Sequence, residues 1–388
     1  MFGRRGKIAV LAMLVLALAV RGLYAQVADA VLEVAVVDEA KAAMPGVSVT
    51  ITRPDTGFGR TVTTGQTGSV RIPALPPGTY RVQLELTGFA PVVQEALTLR
   101  VGQTAKLEAT MKLAAMAETV TITGQAPLVD VYKTDSSTNV APEQIEQLPV
   151  QDRDFQRLAF LTPGVQRERG GFRFIGNGPV IGAGGNASQA TILVDGVDFT
   201  DQTLGLARTR FSQDAISEFR VIANRFDTEV GGSAAGALSI ITKTGSNDFR
   251  GSAFGFFRDK SLRAKSEKEQ QKNDYSRQQY GFTLGGPLAK DKTHFFLSLE
   301  QIGENNVALF RPGGAYVSLA ADIPVPVDQT LGYAGVDHRL SDRQSLRAKF
   351  VYERYRQENF RVGGFADESA GMRLDRDNWN LTATHTWT

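Results

Sequence analysis

His294, His338 and His385 are the only imidazoles in the chain, and there is no cysteine. Thiol catalysis, disulfides and Cys/His zinc sites are therefore excluded. Asp195, Asp198 and Asp201 crowd one short stretch, but they lack the Asp/Asn spacing and closing Glu of a calcium loop and read as turn-forming carboxylates. Gly182 to Ala187 formally fits a G-x-G-x-x-A dinucleotide motif, yet no strand precedes it and no helix follows. Neither G-x-S-x-G nor H-E-x-x-H occurs. No catalytic constellation and no cofactor is expected. Two segments with binding chemistry remain. Glu118, Thr119, Val120, Thr121, Ile122, Thr123 and Gly124 form a β-branched, extended stretch that could add as a strand to another protein's sheet edge; a plain linker or an eighth strand of the preceding module fits it as well. Arg167, Arg169 and Arg173, set among Phe172 and Phe174, could hold an anionic or sugar ligand, and a solvated loop ion-paired to its surroundings explains them equally.

Such segments need elements to position them. The 388 residues are 42% apolar and 22% charged, a globular composition. Residues 1–25 read as a secretory signal peptide: Arg4, Arg5 and Lys7 precede an apolar run from Ile8 to Val20, with cleavage after Ala25. That run would cover only ~20 Å of a ~30 Å hydrocarbon core, so it is too short for a membrane anchor. Without these residues 39 bases face 41 acids, and no basic excess is left to attract nucleic acid.

Residues 27–113 read as a seven-stranded β-sandwich, from runs such as VLEVAVV and TYRVQLEL separated by Pro/Gly turns. In the second run Tyr80, Val82, Leu84 and Leu86 alternate with polar residues, so one face packs inward. Residues 114–245 form an α+β unit. A helix is expected after Pro142, a helical stretch from Asp152 to Leu161, and strands over Ala190–Gly196, Ile216–Ile222 and Gly236–Lys243.

The last part of the chain is richer in aromatics, with 18 in residues 251–388 against 15 in residues 1–250, and residues 246–388 read as a third unit. Six strands are expected, at about 250–258, 276–285, 292–300, 330–340, 345–355 and 377–388. Long and short connections alternate between them, as in a barrel with short periplasmic turns and long outer loops. Trp379 and Trp387 share one face of the last strand and stand ~26 Å apart, close to the spacing of two aromatic girdles. The fold class expected is mainly β: signal peptide, transthyretin-like sandwich, α+β unit, and the first six or so antiparallel strands of an incomplete transmembrane barrel.

The spacing Asp38 … Pro45-Gly-Val-x-Val-x-Ile51, then Thr63-Thr-Gly-x-Thr-Gly-x-Val70 and Leu75-Pro-Pro-Gly-Thr-Tyr-x-Val82, resembles the carboxypeptidase regulatory-like domain, a carbohydrate-binding-like fold that implies no peptidase activity. Glu118 to Gly124, Ile192-Leu-Val-Asp-Gly-Val197, Ile216-Ser-Glu-Phe219 and Glu229 to Gly245 resemble the plug of TonB-dependent outer-membrane receptors. In this order, they look like that family's Oar-like branch. The resemblance implies an outer-membrane location, with sandwich and plug facing the periplasm or barrel lumen. It also implies contact with outer-membrane lipid and uptake of an extracellular ligand energised by TonB and its inner-membrane complex, with Glu118 to Gly124 as the TonB-engaging segment. In this family the barrel has 22 strands, so 388 residues are expected to be the front part of a longer protein. The other reading kept open is a non-transporting surface protein that binds carbohydrate or protein through its sandwich.

Overall fold

A computed structural model describes residues 29–114, 120–122, 136–140, 142–148, 150–167, 179–181, 189–201, 206–223, 232–262, 264–265 and 272–387. The expected signal peptide lies outside the described residues.

The first unit contains β1 (Ala30–Val37), β2 (Ser48–Arg53), β3 (Phe58–Thr63), β4 (Ser69–Leu75), β5 (Gly78–Glu85), β6 (Val92–Leu99) and β7 (Thr104–Thr110). All seven expected strands form, in two facing sheets. One has the order β4-β1-β7; the other begins β3-β2-β5-β6 and is completed by a short eighth strand, β8 (Val120–Ile122). Alternation in the sequence becomes alternation of burial: Leu32, Val34, Val49, Ile51, Val82 and Leu84 turn into one core, with Tyr80 donating its hydroxyl to Pro76 O.

In the central unit β9 (Ser136–Val140) and α1 (Pro142–Gln147) come first, followed by β10 (Val165–Arg167), β11 (Pro179–Ile181), β12 (Ala190–Val194), β13 (Val197–Asp198), β14 (Thr200–Asp201), β15 (Leu206–Ala207), β16 (Ile216–Ala223) and β17 (Gly236–Thr242). The main sheet has the order β13-β12-β17-β16-β9, with β12 and β17 parallel. Every residue of β12 and β17 is buried, as expected of central strands covered on both faces. The stretch Asp152–Leu161 is not one regular helix. It forms two 3-10 segments, Gln151–Arg153 and Phe155–Leu161, interrupted where Asp152 takes φ 60° and Asp154 is extended. The Asp154 side chain caps the second by accepting from Gln156 N. Phe155, Leu158 and Ala159 still reach the core, and Phe155 stacks on Phe211 with centroids 4.7 Å apart.

The third unit is one antiparallel sheet of long strands: β18 (Arg250–Asp259), β19 (Ser276–Ala289), β20 (Thr293–Asn305), β23 (Val327–Ser341), β24 (Gln344–Phe360) and β25 (Met372–Trp387). A hairpin of β21 (Val307–Phe310) and β22 (Ala321–Pro324) stands in the connection between β20 and β23. Neighbours in the sheet are neighbours in sequence, and β18 and β25 do not meet, so the sheet is curved but unclosed. β20, β23, β24 and β25 outrun the expected strands by several residues at the ends facing the long connections, and β19 does so at its short turn. The short turns are Lys290 to Lys292 and Asp342 to Arg343, and the longer connections fall at the other end.

Candidate functional site

Alternation along the long strands decides which side chains meet the central unit. Gln279, Glu300, Gln329, Lys349 and Glu353 are buried on the concave face, whereas Tyr280, Phe282, Leu297, Phe350 and Leu381 are exposed on the convex face. An apolar outer face with a polar inner face is the transmembrane barrel pattern. The carboxylates of this row are bonded both from the central unit and from within the wall. Ser212 Oγ and Gln279 Nε2 both donate to Glu300, and Glu353 accepts from Arg210 N at 3.0 Å and from Gln329 Nε2 at 2.7 Å. Arg153 lies over the rings of Phe254 and Phe256, 4.8 and 4.9 Å from their centroids, and pairs with Asp214 at 2.6 Å.

Asp195 is the most tightly held group in this interface. Asp195 and Gly196 take φ 51° and 80°, the geometry of a two-residue Asp-Gly hairpin turn joining β12 to β13. The Asp195 carboxylate accepts from Thr242 N at 3.0 Å and from Thr242 Oγ1 at 2.8 Å, and Tyr333 in turn donates its hydroxyl to Thr242 Oγ1. From the wall, Lys349 contacts it directly and Arg347 stands 4.0 Å away. Burial works against its ionised form, yet Lys349 and Arg347 hold it below the usual carboxylate range. The expectation of a turn-forming carboxylate was right for its backbone and missed this ion pair. Inward placement of Lys349 was readable from alternation, but its partner, 154 positions away, was not.

At the end of the short turns the sandwich meets both other units. Val101 N donates to Glu218 Oε2 at 2.9 Å, and Arg220 Nη1 donates to Val101 O at 3.1 Å. Gly102 between them and β7 takes φ 60°, and a Cβ there would fall on the Arg220 guanidinium, so this contact requires glycine twice over. Arg339 Nη1 donates to Gly57 O at 2.8 Å, and Asn247 N to Asp55 O at 2.7 Å. A cavity of about 430 Å³ lies at this junction, lined by Arg53 and Arg60 of the sandwich, Asp195 and Gly245 of the central unit, and Asp291 and Arg347 of the wall. Asp29, at its edge, has its carboxyl raised above the ordinary range by burial, against the opposing pull of Arg347 and Arg60.

Of the strand-like segment, Val120, Thr121 and Ile122 form β8, paired in parallel with Val92, Val93 and Gln94 of β6. The eighth-strand alternative therefore describes its backbone here; Glu118, Thr119, Thr123 and Gly124 lie outside the described residues. Arg167 is exposed on β10, with its guanidinium 5.5 Å from the Phe160 centroid. Arg169 and Arg173 lie outside the described residues. Among the described residues no cluster of metal-ligating side chains occurs.

Comparison with known proteins agrees with this architecture. A carboxypeptidase regulatory-like domain profile matches residues 31–112, and an outer membrane beta barrel domain profile matches residues 241–310. The outer membrane transporter YddB of Escherichia coli superposes with a TM-score of 0.51 at 13% identity, over 65% of this chain and 37% of that one. The ferric enterobactin receptor PfeA of Pseudomonas aeruginosa gives 0.48 at 18% identity, over 65% and 39%. At 13% identity, the first of these is a likeness of fold. In sequence the chain is similar to a TonB-dependent transporter: it is 30% identical over 266 residues to the TonB-dependent transporter Oar of Myxococcus xanthus. The match covers 64% of this chain and 24% of that relative, so the chain spans about a quarter of the relative's length.

Proposed function

We propose that the chain works as a TonB-dependent outer-membrane receptor that takes up an extracellular ligand, with residues 114–245 as a plug inside a barrel begun by residues 246–388. The observation that carries this reading is the pairing of an apolar convex face with a polar concave face whose carboxylates are bonded from the central unit. A catalytic role finds no support in the residues. In this reading TonB and its inner-membrane complex supply the energy, Glu118 to Gly124 is the segment TonB engages, and outer-membrane lipid covers the convex face. The sandwich stands on the side of the short turns, which in such barrels is periplasmic.

Strand addition requires backbone donors, and Val120→Pro removes one. Capture of the receptor by the purified periplasmic domain of TonB should fall at least tenfold in V120P, with the amount inserted in the outer membrane unchanged. Equal capture of V120P and the parent protein would overturn the assignment.

A further inference from the structure

We propose that the β6 edge of the sandwich is a strand-accepting surface for residues 120–122, and that it competes with TonB for them. The inference rests on the reading of Glu118 to Gly124 as the TonB-engaging segment.

The course of the backbone carries the argument. In the five-stranded sheet β6 is paired with β5 on one side and with β8 on the other. Without β8, β6 would be an edge strand whose outward N–H and C=O groups lack ladder partners. With β8 in place Val92, Val93 and Gln94 are all buried, including the polar Gln94 opposite Ile122. The chain is also anchored next to that edge. After β7 it is tied to the β5–β6 turn through Ala90 N to Lys112 O at 2.8 Å, an antiparallel bridge between Phe89 and Leu113, and Ala114 N to Gly88 O at 3.0 Å. The 120–122 ladder on residues 92–94 lies beside this contact but runs the other way, parallel to β6, so the two are separate attachments of the same stretch of chain.

A parallel ladder of three residues is short, so it can be exchanged for a better one. Held on β6, the segment offers only one or two outward backbone groups, too short a template for a further strand. Released, the whole stretch from Glu118 to Gly124 becomes available, which is the length that strand addition uses. The same backbone therefore has two mutually exclusive acceptors: its own sandwich and the partner protein. The sandwich thereby acts as a holder that keeps the segment from TonB.

The absence of cysteine allows a direct test. Val93 and Thr121 are register partners on neighbouring strands, at a separation a disulfide can bridge. In outer-membrane preparations of the full receptor, V93C/T121C should cross-link within the chain on mild oxidation. A V92C/I122C pair, two residues out of register, should not. Oxidised V93C/T121C should be captured by the periplasmic domain of TonB at least tenfold less than the same protein after reduction, which also serves as its own folding control. Failure to cross-link would overturn the pairing. Cross-linking with undiminished capture would overturn the competition while leaving the TonB reading intact, because TonB would then be adding to the outer edge of β8. Equal and negligible capture of parent, reduced and oxidised proteins would overturn the TonB reading itself, and the competition with it.

Discussion

At the scale of single residues, the Asp195–Lys349 pair shows why a buried charge is held from both sides. The carboxylate is fixed by two Thr242 donors on its own unit, and Lys349 is buried on the wall opposite it. Removing Asp195 leaves the Lys349 charge buried and uncompensated, at a cost of about 3–5 kcal/mol, whereas removing Lys349 leaves Asp195 with Arg347 still 4.0 Å away. Asp195→Asn tests this cleanly, because Asn tolerates positive φ and can still accept from Thr242. D195N should lower the stability of the central unit against the wall by about that amount and Lys349→Met by less, while the double variant loses clearly less than their sum. Chemical denaturation of the inserted receptor measures all three. Strict additivity would mean that the two groups do not interact.

Elements are where the sequence is most legible and where its limits are plainest. Most of the sandwich and wall strands are marked by alternation, because one face must be apolar, although β6 and β18 alternate poorly. Strand ends were less visible. Residues such as Gln301 and Asp328, paired to each other beyond the expected ends of β20 and β23, alternate without apolar character, and only the cross-strand ladder keeps them extended. The 3-10 segments around Asp152 were hidden because their helical spacing of apolar residues is the same over so few turns. Partners of inward side chains were illegible for a different reason: alternation fixes a face but names no contact across the lumen. The two faces differ in what they tolerate. Leu381→Arg, on the convex face between Trp379 and Trp387, should cost about 2–4 kcal/mol and reduce the protein recovered in outer membranes. Thr386→Arg, on the cavity side of the same strand, should leave recovery unchanged. Equal losses for both would remove the distinction between lipid and lumen faces.

For the whole molecule, the question is how the sandwich stays on the mouth of the other two units. Its contacts with the wall are hydrogen bonds to backbone oxygens from Arg339 and Asn247, and the contact with the central sheet is made through Glu218 and Arg220. Among these groups only Glu218 is an acid. Glu218 has its carboxyl raised above its ordinary value of 4.5, chiefly by burial, with the Val101 N–H and the nearby Arg100 and Arg220 opposing that rise. Undocked, the group regains water and its ordinary value. Between that value and the raised one, the docked state binds more protons than the undocked state, so docking is fully favoured at low pH and weakens as pH rises through the raised value. Protection of the Val101 amide from hydrogen exchange, corrected for the intrinsic pH dependence, should therefore fall from pH 5 towards pH 8. Glu218→Gln fixes the uncharged form while its side-chain oxygen can still accept from Val101 N, so E218Q should keep the protection of the low-pH protein throughout that range. A parent profile that is flat, or that rises with pH, would show that Glu218 does not govern how the sandwich is held.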